Sequence, residues 1–98
     1  MAFFLRKKLA AAVKEGNLAR VKELLDAGAD VNMDTGGRES PLHIAAREGN
    51  KEMAAFLIGR GAKVDALKDY QWAPIHDAAY GGHFTVVVEL LKAGADPN

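Results

Sequence analysis

Cysteine is absent from this sequence of 98 residues. Its absence excludes disulfides, thiolate nucleophiles and thiolate metal sites together, and it suits a reducing compartment. Long apolar runs are absent as well, because no stretch reaches the ~18 to 20 apolar residues that a membrane-spanning helix needs. We therefore expect a soluble, cytoplasmic protein that does not use a membrane as its partner.

An excess of either charge is also missing, since thirteen basic side chains balance thirteen acidic ones. A neutral chain has no overall field that would collect nucleic acid or anionic lipid, so we expect neither as a partner. The hydrophobic and charged fractions, 49% and 27%, are typical of globular proteins and argue against disorder. A chain of this length is expected to form one domain, residues 1–98.

The sequence contains an internal repeat. Two series of glycines keep the same regular spacing: Gly16, Gly49 and Gly82, and Gly28, Gly61 and Gly94. Residues 9–32 and 75–98 align without gaps at 11 identities in 24 positions. The repeat divides the chain into a first, a middle and a third unit, at about residues 5–32, 33–65 and 66–98.

The sequence of each unit predicts two short helices followed by a connecting segment. In the middle unit Ser40 can cap a helix that begins at Pro41, and Gly49 can take the left-handed conformation after its last residue. Asn50 then opens a second helix, whose apolar residues keep helical spacing until Gly61 ends it. Helices this short are marginal alone in water, so the units must be stabilised by stacking. The sequence therefore predicts an all-α solenoid of helix-turn-helix pairs joined by hairpin fingers.

Two segments resemble the signature of the ankyrin repeat family. They are SPLHIAAREGN at residues 40–50 and APIHDAAYGGH at residues 73–83, and endings typical of the family follow at 28–32 and 94–98. The resemblance covers about residues 5–98. It implies a non-enzymatic module that binds another protein through its finger tips and the exposed face of each first helix.

Several positions depart from the family pattern. Residues 7–10, KKLA, stand where the family has Thr-Pro-Leu-His, which fits a capping unit with one face in solvent. Arg38 and Gln71 replace the family's turn glycine, and Ala73 replaces its capping Thr or Ser. The sequence stops at Asn98, where the next finger would begin. We expect either a fragment of a longer natural array or a minimal engineered scaffold.

Aromatic side chains are few and are concentrated in the third unit. The only tryptophan and both tyrosines, Trp72, Tyr70 and Tyr80, fall on positions that the resemblance leaves exposed. Trp and Tyr dominate interface hot spots, so we expect these three to form the centre of a protein-binding site. The predicted site also includes Leu67, Asp69, Gln71 and Asp77 from the third unit, and Glu39 and Arg47 from the middle unit. The alternative is that Tyr70 and Trp72 pack back against the neighbouring finger.

Other polar groups have structural explanations. Ser40 and His43 have the spacing of a nucleophile and its base, but helix capping explains the serine better. The resemblance implies that His43 and His76 are buried structural residues. A basic cluster, Arg6, Lys7, Lys8 and Lys14, is expected to be a solvated face. No phosphate-binding loop or set of metal ligands is recognisable, so we expect no enzyme, no cofactor and no metal.

Two functions are compatible with these features. The leading hypothesis is a rigid module, natural or engineered, that binds one folded protein partner through the aromatic residues of the third unit. The alternative is self-association, in which Phe84, Val86 and Val88 at the open end of the third unit pair with another copy. That contact would produce a homodimer or a longer array.

Overall fold

A computed structural model describes residues 2–98. The described residues form α1 (Ala2–Glu15), α2 (Leu18–Asp26), α3 (Pro41–Glu48), α4 (Lys51–Gly59), α5 (Pro74–Tyr80) and α6 (Phe84–Lys92), with a 3-10 turn at Asp69–Gln71 before α5. The only β pairing in this range is an isolated antiparallel bridge between Lys68 and Trp72. The predicted all-α fold is therefore confirmed. Within the same range, no helix is long and apolar enough to cross a membrane.

Side-chain caps explain where the helices begin. Ser40 caps α3 by accepting the His43 N–H, and its own N–H donates to His43 Nδ1 at 3.1 Å. Asn17 and Asn50 cap α2 and α4, each accepting the N–H three residues later at 3.0 Å. Gly49 ends α3 in the left-handed region, with φ of 72°, as its place in the repeat predicts.

The cap of α5 is incomplete. Ala73 stands at its N-cap and donates its N–H to His76 Nδ1 at 2.9 Å, but it has no side-chain oxygen to return a bond. We expect Ala73→Ser to raise the free energy of unfolding by about 1 kcal/mol, because the serine Oγ would accept the His76 N–H, which in the wild type donates to the Ala73 carbonyl at 3.0 Å. Urea unfolding would measure the change. The reciprocal variant Ser40→Ala should lose a similar amount, and equal stabilities for Ala73→Ser and the wild type would contradict the prediction.

The helix pairs stack in two layers. The first helices pack in the order α1, α3, α5, and α4 packs against α6 in the second layer. The core combines small residues of the first helices with larger apolar residues of both layers, including Ala12, Ala45, Ala46, Ala78, Leu9, Val21, Leu42, Met53, Leu57 and Leu90. Val86, which the sequence suggested as part of an open end, is fully buried in this core instead. Its position matches that of Met53, one repeat earlier, which is also fully buried.

The fingers connect one unit to the next. In the middle finger the Thr35 N–H donates to the Glu39 carbonyl at 2.8 Å, and in the third finger the Lys68 N–H donates to the Trp72 carbonyl at 2.9 Å. The same Trp72 carbonyl accepts a second hydrogen bond, at 2.8 Å, from His43 Nε2 in α3. The backbone at Trp72 is therefore anchored to the middle unit.

Candidate functional site

A groove opens between α3, α5 and the third finger. Its cavity volume is about 530 Å³, and it is lined by Arg47, Lys68, Asp69, Tyr70, Trp72, Asp77, Tyr80 and Gly81. We call this the aromatic groove. Six of the nine residues predicted from the sequence line it: Arg47, Asp69, Tyr70, Trp72, Asp77 and Tyr80.

The aromatic rings of the groove differ in exposure. Tyr70 is 92% exposed and Tyr80 is 87% exposed, whereas Trp72 is half-buried. The Trp72 ring meets Tyr80 edge to face, with centroids 5.9 Å apart, and meets His76 in the same way at 5.7 Å. Tyr70 thus does not pack back against another finger, and Trp72 packs on its own unit. The arrangement leaves two tyrosines free to contact another molecule beside a tryptophan held in place.

The tip of the third finger is in a conformation that its residues disfavour. Tyr70 has φ of 65° and Gln71 has φ of 63°, both in the left-handed region. In the middle finger the same two places hold Gly37 and Arg38, also with positive φ. A bulky side chain in this region costs roughly 1 kcal/mol, and the exposure of Tyr70 provides no burial to offset it. Strain of this kind is concentrated at functional sites in proteins.

Beneath the rings lies a chain of paired charges. Asp77 is only 8% exposed, and Lys68 Nζ lies 3.0 Å from its Oδ1 and 2.9 Å from its Oδ2. Oδ2 has no hydrogen-bond partner of suitable geometry among the described residues, so its charge is balanced by the ammonium alone. Lys68 Nζ also donates to Glu39 Oε2 at 2.9 Å, and the same oxygen accepts a bond from Arg47. Two cations and two carboxylates therefore alternate along the base of the groove.

The pairing is visible in the pKa values of the charged groups. Burial raises the pKa of Glu39, but hydrogen bonds from Arg47 and Lys68 outweigh it and leave this pKa below its ordinary value. Burial likewise opposes the charged form of Lys68, yet bonds to Glu39 and Asp77 raise its pKa. The bond to Glu39 also raises the pKa of Arg47. All of these shifts favour the ionised network.

Three predicted site residues lie outside the groove lining. Leu67 lines a separate cavity of about 250 Å³ on the other side of the finger, because neighbouring residues of an extended segment point in opposite directions and Lys68 enters the groove. Gln71 is exposed at the finger tip. Glu39 lies below the groove in the charged network rather than on its surface.

Lys68 is the site residue that the sequence analysis missed. A signal for it existed in the repeat, because Asp77 occupies the place that Ile44 has one repeat earlier, and Ile44 is buried in α3. A carboxylate at a buried place needs a cation, and Lys68 in the preceding finger provides it.

Ser40 and His43 have structural roles. Both are buried, and Ser40 Oγ lies 2.9 Å from His43 Nδ1. Burial lowers the pKa of His43, and the bond to the Trp72 carbonyl offsets this only in part. The neutral ring accepts the Ser40 N–H on one nitrogen and donates to Trp72 with the other. No group of three or more His, Cys, Asp or Glu side chains that could hold a metal ion occurs among the residues described.

One comparison with known families gives a match. The family model described as Ankyrin repeats (3 copies) matches residues 9–98, which is most of the chain. A comparison with curated proteins returned no match. The matched range contains every residue that lines the aromatic groove.

Proposed function

Because the chain belongs to the ankyrin repeat family, whose repeats are protein–protein interaction modules, we propose that it binds a folded protein partner through the aromatic groove. The observation that carries this proposal is the exposure of Tyr70 and Tyr80 on either side of the half-buried Trp72. The finger tips and the concave face of α3 and α5 complete the binding surface. Nothing in this function requires a catalytic step.

The exposed rings have enough apolar surface to anchor a partner. A buried aromatic side chain removes ~150 to 250 Å² from water, worth roughly 4 to 6 kcal/mol gross for each ring. Two tyrosines therefore give roughly 10 kcal/mol before the costs of association are subtracted, which suffices for a specific complex.

Preorganisation reduces those costs. The Trp72 backbone is held by His43 and Lys68, and its ring is held against Tyr80 before any partner arrives. Binding then spends little on ordering the central anchor, so a modest contact area can give useful affinity.

We expect Trp72→Ala to weaken the complex by about 2 kcal/mol, roughly 30-fold in Kd, because a central aromatic anchor is lost. Partners would be captured with the wild-type chain, identified by mass spectrometry, and titrated against both proteins by calorimetry. Phe84→Ala is the matched control, since Phe84 is 74% exposed on α6 outside the groove. If Trp72→Ala lowers the free energy of unfolding while leaving the affinity of the folded protein unchanged, Trp72 is a structural residue and the proposal is wrong.

Tyr70 offers a test in which stability and binding change in opposite directions. We expect Tyr70→Gly to raise the free energy of unfolding by about 1 kcal/mol, since glycine adopts positive φ without strain. The same variant should bind the captured partner several-fold more weakly. Urea unfolding and calorimetry would measure the two effects, and an unchanged affinity would remove Tyr70 from the proposed site.

Self-association is the second candidate function. Phe84, Val88 and Leu91 form an exposed apolar stripe on α6 at helical spacing. Sedimentation equilibrium at micromolar concentration would detect a homodimer or array, and Val88→Lys should disrupt it. A single monomeric species would exclude this candidate.

A further inference from the structure

Three pairs of side chains occupy equivalent places along the concave face. In the third unit Trp72 and Tyr80 form an edge-to-face aromatic pair. One repeat earlier, the same places hold Glu39 and Arg47, which form an ion pair in the middle unit. In the first unit they hold Arg6 and Lys14, both basic. The equivalent positions are therefore aromatic in the third unit, ion-paired in the middle unit and basic in the first unit.

The distance between the two ends of this series follows from helix packing. Lys14, Arg47 and Tyr80 lie near the ends of α1, α3 and α5, and each of these helices packs on the next. Packed helix axes are about 8 to 10 Å apart, so Lys14 lies about 16 to 20 Å from Tyr80 along the face. An extended peptide covers this distance in about five or six residues.

The aromatic end favours an uncharged group. The cations and carboxylates at its base are already paired with one another: Arg47 with Glu39, Glu39 with Lys68, Lys68 with Asp77, and Arg38 with Asp69 at the rim. A charged side chain entering the groove would lose its hydration without finding an unpaired charge. An apolar side chain loses nothing of this kind and gains contact with the rings.

The opposite end favours negative charge. The unit 5–32 has six basic and four acidic side chains, the unit 33–65 has five of each, and the unit 66–98 has two basic and four acidic. Lys14 is exposed, and within residues 2–98 it forms no ion pair. A carboxylate of a partner can therefore bind there without displacing an existing pair.

We propose that the concave face selects a protein segment that places an apolar side chain against Trp72 and Tyr80 and acidic side chains against Lys14. The inference rests on the proposed function, because it specifies which partner the aromatic groove accepts. The segment has a fixed direction on the stack, since reversing it would bring its carboxylates to the aromatic groove. The aromatic groove at one end of the face and Lys14 at the other thus determine which residues the segment contains and how far apart they lie.

A phage-displayed library of random 16-residue peptides, selected on the immobilised wild-type chain, tests this inference. We expect the enriched peptides to combine an aromatic or large aliphatic residue with at least two acidic residues about five or six positions away. Synthetic copies should bind Lys14→Glu roughly fivefold more weakly than the wild type at 50 mM NaCl. The matched control Lys92→Glu makes the same charge change at an exposed place on α6 and should leave Kd unchanged.

The outcomes separate this inference from the proposed function. Enriched peptides that lack acidic residues, or that bind Lys14→Glu as tightly as the wild type, overturn the inference alone, provided that Trp72→Ala abolishes their binding. Peptides that bind Trp72→Ala undiminished, or a selection that enriches nothing, overturn the inference, whereas the proposed function is judged by the titration of the captured protein partner against Trp72→Ala. A fluorescein-labelled 20-nucleotide DNA that binds through Lys14 more tightly than the acidic peptides would also overturn the inference, because the basic end would then select phosphates.

Discussion

Replacing Lys68 with alanine is expected to lower the free energy of unfolding by about 3 kcal/mol. The substitution removes the only cation that the described residues place within 4 Å of the buried Asp77 carboxylate, and it leaves Glu39 paired with Arg47 alone. A buried carboxylate without a counter-ion bears the full cost of its desolvation. Urea unfolding at pH 7, with the slope checked for two-state behaviour, would measure the loss.

A double variant separates the lost ion pair from the lost side-chain packing. Lys68→Met with Asp77→Ile removes both charges together, and Ile44 in the middle unit is already buried at the place that Asp77 occupies. We expect this protein to be within about 1 kcal/mol of the wild type, because apolar side chains can replace a buried pair at little cost. Lys92→Ala provides the exposed-lysine control and should have no measurable effect. A loss below about 1 kcal/mol for Lys68→Ala would show that the Asp77 carboxylate is hydrated after all.

The fold was predictable because its determinants are local and repeated. Ser40 with Pro41 specifies the start of α3, and Gly49 specifies its end, through interactions within a few residues. The regular period then places equivalent residues of successive units against each other. A stacking fold needs little more than this, since each unit contacts only its neighbours.

The site was predictable only in part, because its side chains meet between fingers and helices that are separate in the sequence. The exposure of Tyr70 and Tyr80 follows from their places in the repeat, and the structure agrees. The ion pair of Lys68 with Asp77 joins a finger to the helix that follows it, and no local pattern specifies it. Leu67 was misplaced for a similar reason. Its side chain lines a separate cavity, because the side chain of the neighbouring Lys68 is the one that enters the groove.

The finger turn accepts residues other than the glycine of the family pattern. Arg38 and Gln71 stand where the family has glycine, and both keep the left-handed conformation that glycine would adopt. Hydrogen bonds hold the middle tip, where Asp34 accepts the N–H groups of Gly36 and Arg38 at 2.7 and 3.0 Å. At the third tip Leu67 stands in the place of Asp34, and backbone hydrogen bonds hold the turn instead, from the Gln71 N–H to the Lys68 carbonyl at 3.1 Å and from the Lys68 N–H to the Trp72 carbonyl at 2.9 Å.

The second large effect is expected at Gly49, where alanine should lower the free energy of unfolding by about 3 kcal/mol. Part of the loss, about 1 to 2 kcal/mol, is the strain of an L-residue at φ of 72°. The rest arises because the added Cβ would lie 2.5 Å from His83 Nδ1 and 2.8 Å from its Cγ. The whole ring must then move, which breaks the 2.9 Å hydrogen bond from His83 Nε2 to the Arg47 carbonyl.

Gly82→Ala is the matched control for this prediction. Gly82 is equivalent to Gly49 by the repeat and has φ of 74°, but a Cβ there would meet nothing within 4 Å. It should show the strain alone, so the difference between the two variants isolates the contact with His83. Adding His83→Ala should cost less stability in the Gly49→Ala protein than in the wild type, because the hydrogen bond to Arg47 is already lost there. Equal losses for the two glycine variants would show that His83 rotates away freely and that its bond to the end of α3 adds no stability.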